Sequence, residues 1–110
     1  MTNREQPYEG IPFLPSGPWA GFYTAVLGGY EYPQSLMLSF ARGIIRGCGS
    51  DDVGKFKISG LYDSKNYMFK WEKSYESHQV FYLGCLRNDE ILGLWTVSDC
   101  IGTFAIWPEK

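Results

Sequence analysis

The feature that most constrains this chain is the rhythm between Trp19 and Trp107: about eight short stretches of alternating apolar and polar residues, cut by Gly, Asp, Ser and Asn clusters, with no helical run. Alternation with a period of two gives each strand one apolar face, and evenly spaced strands of this kind predict an antiparallel sheet. An open sheet leaves unpaired edges. About eight strands can instead close on themselves, leaving an interior just wide enough to be filled by side chains or to hold one small ligand. The expected fold is therefore all-β: an eight-stranded antiparallel up-and-down β-barrel over residues 17–110, preceded by an irregular N-terminal segment over 1–16. In that segment Pro7, Gly10, Pro12 and Pro15 interrupt Tyr8, Ile11, Phe13 and Leu14. It is too broken for a regular element and too apolar for a free tail, which predicts a lid over one barrel mouth.

A chain of 110 residues fits one domain with its own core. Four Trp, eight Tyr and seven Phe supply material to fill a barrel, and thirteen Gly let coiled strands bend. Ten basic against twelve acidic residues leave no basic stripe for a phosphate backbone, so nucleic acid is not an expected partner. No apolar run reaches the roughly 18 residues of a membrane helix, and Met1–Gln6 is polar, so membrane insertion is not expected and the expected address is the cytoplasm. Cys48, Cys85 and Cys100 are odd in number and match no zinc spacing, which predicts reduced, partly buried thiols.

No metal or cofactor is expected. His78 is the sole histidine, which excludes multi-histidine metal sites and weakens any Ser-His-Asp reading. A strand-start histidine hydrogen-bonded at the surface is preferred over a haem ligand. Asp51-Asp52 with Gly54 lacks the later oxygen ligands and closing Glu of a calcium loop and is read as a turn.

Strand parity sorts the side chains. Trp19, Gly21 and Tyr23 share one face of the first strand, and Leu36, Leu38 and Phe40 face inward on the second. Phe56 and Ile58 point to the core with Lys55 and Lys57 to solvent; Tyr67, Phe69 and Trp71 share a face that parity extends to Lys73. Val80, Tyr82 and Gly84, then Ile91, Gly93, Trp95 and Val97, follow inward. Inward glycines at 21, 47, 60, 84, 93 and 102 could hollow out a cavity; the preferred reading is that they make room for Trp19, Trp71 and Trp95.

The inward polar groups Tyr23, Tyr67, Lys73 and Tyr82, walled by Trp71 and Trp95, are the candidate ligand-binding residues, since a mostly apolar pocket gains specificity from a few placed donors and acceptors. Inside the barrel Lys73 would need a carboxylate, with Asp51 or Asp63 in reach from a turn. The preferred position is the rim, with its ammonium in water. Outward, Phe81, Leu83, Leu92 and Leu94 fall on neighbouring strands, with Ile101 and Trp107 as extensions, and predict a homodimer interface unless Phe13 and Leu14 cover them.

Gly17-x-Trp19 at the head of the first strand resembles the opening of the calycin barrels: lipocalins, fatty-acid-binding proteins and avidins. A longer pattern resembles small avidin-like bacterial domains without assigned activity. It comprises Gly47-x-Gly49-x-Asp51-x-x-Gly54-x-Phe56-x-Ile58-x-Gly60, then Lys73-x-Tyr75, His78, Tyr82-x-Gly84, Ile91-x-Gly93-x-Trp95 and Gly102-x-Phe104. The resemblance implies the barrel and no particular chemistry. The Trp19/Gly21 opening with Tyr32-Pro33 is also similar to nitrobindin barrels, which bind haem through a late histidine; nothing after His78 can serve.

The expected function is non-enzymatic binding of a small, largely apolar ligand in the barrel, which calls for a cavity of about 300 Å3 or more. The alternative is a filled barrel acting as a protein-interaction or self-association module. A cyclase or isomerase, as in the allene oxide cyclase barrels, ranks last because no nucleophile–base pair or carboxylate cluster can be assigned from sequence.

Overall fold

The computed structural model describes residues 14–26 and 28–109. Eight strands follow in chain order: β1 (Gly17–Thr24), β2 (Glu31–Ala41), β3 (Ile44–Asp51), β4 (Lys55–Asp63), β5 (Met68–Tyr75), β6 (Gln79–Arg87), β7 (Glu90–Val97) and β8 (Cys100–Pro108). Each pairs antiparallel with its sequence neighbour, and β8 returns to β1 to close the barrel. The closing seam runs from Trp19 opposite Pro108 to Thr24 opposite Thr103. At its end the two threonine hydroxyls lie 2.6 Å apart. The fold is compatible with the calycin-like barrel that the sequence resembles. Among the described residues no helix is long and apolar enough to cross a membrane.

Tight hairpins set the register. Arg42 and Gly43 both adopt positive φ in the β2–β3 turn, the conformation that matches the right-handed twist of the flanking strands. Along each strand the inward positions are buried and the outward ones exposed, as strand parity predicts: Leu36 and Leu38, Phe56 and Ile58, Phe69 and Trp71, and Val80 and Tyr82 all point into the core. The interior is filled by side chains, and glycines make the room. A Cβ on Gly102 would lie 2.4 Å from the Trp95 indole nitrogen, and one on Gly60 would lie 2.5 Å from the Trp71 Cβ. The room-making reading is observed at these two glycines, for Trp71 and Trp95; Gly21, Gly47, Gly84 and Gly93 face other neighbours, and none faces Trp19.

Three placements differ from expectation. Tyr67 does not belong to β5; it occupies the β4–β5 turn with φ of 61° and is 46% exposed. Alternation predicts a strand from Tyr67, one residue before β5 begins. Cys48 and Cys100 are exposed, and only Cys85 is partly buried, because all three sit on outward positions or at a strand start. Lys73 is not at the rim in water: it is 1% exposed.

One end of the barrel is sealed. Trp19 packs against Phe40 at 5.4 Å between ring centroids, Phe40 meets Tyr62 at 5.8 Å, and Tyr62 stacks on Phe69 at 5.8 Å. The Trp19 indole donates to the Pro15 carbonyl at 2.9 Å, the Phe40 N–H donates to Ser16 Oγ at 3.1 Å, and Leu14 packs on the core. The expected lid over residues 1–16 is described only for 14–16; Tyr8, Ile11 and Phe13 lie outside the described residues.

Candidate functional site

The opposite end, where β1, β3, β5 and β7 finish, carries the polar chemistry. β3 continues to Asp51, whose side chain turns inward and is wholly buried. One residue serves two purposes there. Asp51 Oδ1 accepts the Val53 and Gly54 backbone N–H groups at 2.9 and 3.3 Å, which forms the β3–β4 turn and lets Gly54 adopt a φ of 149°. Its Oδ2 accepts from Lys73 Nζ at 2.8 Å and from the Tyr75 hydroxyl. Asp51 and Lys73 stand two strands apart, so the pair spans the barrel interior near the mouth.

Aromatic rings surround the ammonium. Lys73 Nζ lies 4.4 Å from the Phe56 ring centroid, 5.1 Å from those of Tyr23 and Tyr82, and 5.5 Å from that of Tyr75. Such faces are attractive to a desolvated cation. Burial nevertheless pulls the Lys73 pKa below its ordinary value, against the bond and charge of Asp51 and the charge of Asp52 that act to raise it. The Tyr23 hydroxyl donates to Asp52 Oδ1. Burial, with the neighbouring carboxylates, pushes the Tyr23, Tyr75 and Tyr82 phenols well above 10.0, so all three keep their protons.

Above this network is a cavity of about 140 Å3. Its aromatic walls are Tyr23, Tyr75, Tyr82 and Trp95; Val53, Val80, Val97 and His78 complete it. The Trp95 indole is fixed by donating to the Thr24 carbonyl at 2.8 Å. His78 is exposed, stacked on Tyr75 at 4.9 Å with Nδ1 2.8 Å from Ser77 Oγ, the strand-start surface position expected of it. The larger hollows, about 480 and 640 Å3, open on the outer wall, beside the β4–β5 hairpin and beside Lys55 and Lys57.

Of the six candidate ligand-binding residues, the structure brings Tyr23, Tyr82 and Trp95 together around the cavity. Lys73 lies beneath it, held by Asp51. Trp71 sits a layer deeper, stacked on Tyr82 at 5.3 Å, its Nε1 buried with no hydrogen-bond partner among the described residues. Tyr67 is at the opposite end of β5 and takes no part. Sequence reasoning missed Tyr75 and Asp52. Continuing the inward parity two residues past Lys73 would have found Tyr75. Among the described residues no group of three or more His, Cys, Asp or Glu side chains could hold a metal ion.

No protein-family model matches the chain, and no curated protein matches it significantly.

Proposed function

We propose that the protein binds a small, largely apolar molecule in the open mouth of the barrel and carries out no chemistry on it. The observation that carries this reading is the 140 Å3 cavity walled by four aromatic rings and three valines beside a fixed set of hydroxyls. Its size narrows the ligand. It does not reach the roughly 300 Å3 expected from sequence, which rules out the drug-sized ligand that expectation called for, and is close to the roughly 150 Å3 known to admit benzene. A molecule of single-ring size fits this space, and a fatty acid or a biotin-sized ligand does not.

Ionisable groups with shifted pKa values do converge here, as a catalytic site would require. Their protons are committed within the protein, Lys73 and Tyr75 to Asp51 and Tyr23 to Asp52, which favours a rigid frame over a reactive group. The calycin likeness of Gly17-x-Trp19 supports a binding role, and three free cysteines suit a reducing cytoplasm.

Native mass spectrometry of the purified protein, compared with a denatured run, tests the proposal. A retained mass of single-ring size released on denaturation supports it; a bare protein that also fails to take up toluene contradicts it.

The outer wall favours a second reading, self-association. Phe81, Leu83 and Leu94 are each about half exposed, and Leu83 lies directly opposite Leu94 across β6 and β7. Leu92 is half-buried beside Cys85, and Ile101 extends the strip on β8. The same spectra show whether wild type is a dimer that Leu94→Asp converts to a folded monomer. A dimer unchanged by that substitution removes this strip from the interface.

A further inference from the structure

Among the described residues, the tyrosine hydroxyls and the indole N–H on the cavity wall all donate within the protein except one. Tyr75 donates to Asp51, Tyr23 to Asp52, and the Trp95 indole to Thr24. Tyr82 lines the same cavity, is only 4% exposed, and its hydroxyl has no hydrogen-bond partner among the described residues. Its ring cannot turn away, being stacked on Trp71 at 5.3 Å and edge-on to Phe104 at 4.8 Å. The hydroxyl therefore opens on the cavity, and a ligand that displaces water from it must supply an acceptor or leave the donor unpaired.

We infer that the ligand of this cavity is a neutral ring bearing one strong hydrogen-bond acceptor, such as a carbonyl or N-oxide oxygen, that takes the proton of Tyr82. The inference rests on the mouth-binding reading and adds to it the chemical class of the ligand. The direction of the bond follows from charge. Asp51 and Asp52 face one ammonium, Lys73, which leaves one negative charge in excess beside the cavity. A carboxylate or phenolate ligand would be repelled and would lose its own hydration on entry. Tyr82 keeps its proton under the same field and so acts as donor. Specificity then takes the usual form for a polar contact in an apolar pocket: the analogue lacking the acceptor leaves the protein group unpaired and is rejected.

Three probes separate the outcomes: pyridine N-oxide, which is neutral with a strong acceptor; toluene, a ring of similar size without one; and benzoate, an anion. Their affinities are measured by calorimetry on wild type and on Tyr82→Phe, which keeps the ring and breaks no bond to a described residue. Wild type is expected to bind pyridine N-oxide about tenfold more tightly than toluene, with benzoate weakest. Tyr82→Phe should abolish that preference while toluene affinity stays the same, which also shows that the cavity is intact. Toluene binding with no preference for the N-oxide, or a preference that survives Tyr82→Phe, overturns the inference and leaves the mouth-binding reading standing. Failure of all three probes on wild type overturns both.

Discussion

The two ends of this barrel are closed in different ways. At one end Trp19, Phe40, Tyr62 and Phe69 pack ring on ring, tied to residues 14–16 by two backbone-to-side-chain hydrogen bonds. At the other, a buried Asp51–Lys73 pair and the tyrosine hydroxyls attached to its neighbours form a floor, and a small cavity remains above it. Hydrocarbon packing has no preferred direction and fills whatever space exists. An ion pair in a dry interior gains little net stability, because desolvation offsets most of the attraction, but it fixes where its atoms stand. The aromatic end therefore supplies stability and the charged end supplies position, which is what a small binding site needs.

Breaking either end should be costly, in different ways. Asp51→Ala leaves Lys73 buried and unpaired, and should cost about 3–5 kcal/mol of unfolding free energy in urea titrations. Phe69→Ala should cost a similar 3–5 kcal/mol through the void it leaves. The double substitution Asp51→Asn with Lys73→Met separates the two mechanisms, since removing both charges should restore much of the loss. A double variant no more stable than Asp51→Ala would show that the pair does more than cancel its own burial.

The pH response sharpens the same contrast, because among the described residues the groups with shifted pKa values stand at the mouth. The Lys73 pKa is lower in the folded protein than its ordinary 10.5, so over the window below 10.5 the unfolded chain binds more protons and stability rises with pH. The Tyr82 pKa is raised above 10.0, so above that value the unfolded chain loses protons that the folded chain keeps, and stability falls. Tyr82→Phe should reduce the falling slope by up to about 1.4 kcal/mol per pH unit. Phe69→Ala should leave both limbs as in wild type. Equal slopes for wild type and Tyr82→Phe would contradict this assignment.

A smaller difference is expected between two tryptophans. Trp95→Phe orphans the Thr24 carbonyl, whereas Trp71→Phe removes an indole N–H that has no partner among the described residues. The first should cost about 1–2 kcal/mol more than the second. Smallest of all, Tyr82→Phe at neutral pH should change stability by no more than about 0.5 kcal/mol, since its hydroxyl bonds to no described residue and opens on the cavity.

Which parts of this were legible from sequence follows the same division. Alternation of apolar residues reports burial, so the strands, the closed barrel and the apolar end were readable from Leu36, Leu38, Phe56, Phe69 and Ile91. The sequence offers Asp51 both as a turn residue, which its bonds to Val53 and Gly54 make it, and, with Asp63, as the carboxylate that an inward Lys73 would need; the alternation from Gly47 through Gly49 favours Asp51, the partner observed. What the sequence left open was whether Lys73, 22 positions away and two strands along, stands inside with Asp51 or at the rim in water. A lysine at an inward position near a strand end is usually solvated, a pattern that gives no sign of the strand continuing inward to Tyr75 two residues on. The left-handed conformation of Tyr67 had no signal either, because a bulky aromatic gives no hint of positive φ and Asn66 beside it is the residue type expected to adopt one.

The contrast between the ends is most directly tested by nitrogen–proton correlation spectra of the indole N–H groups during a toluene titration. Trp95 hydrogen-bonds across the mouth and Trp19 is locked in the sealed end. A saturable shift of the Trp95 signal with Trp19 unmoved is the predicted result. Movement of Trp19 alone, or no movement of Trp95 at saturating toluene, would contradict the assignment of the mouth as the binding end.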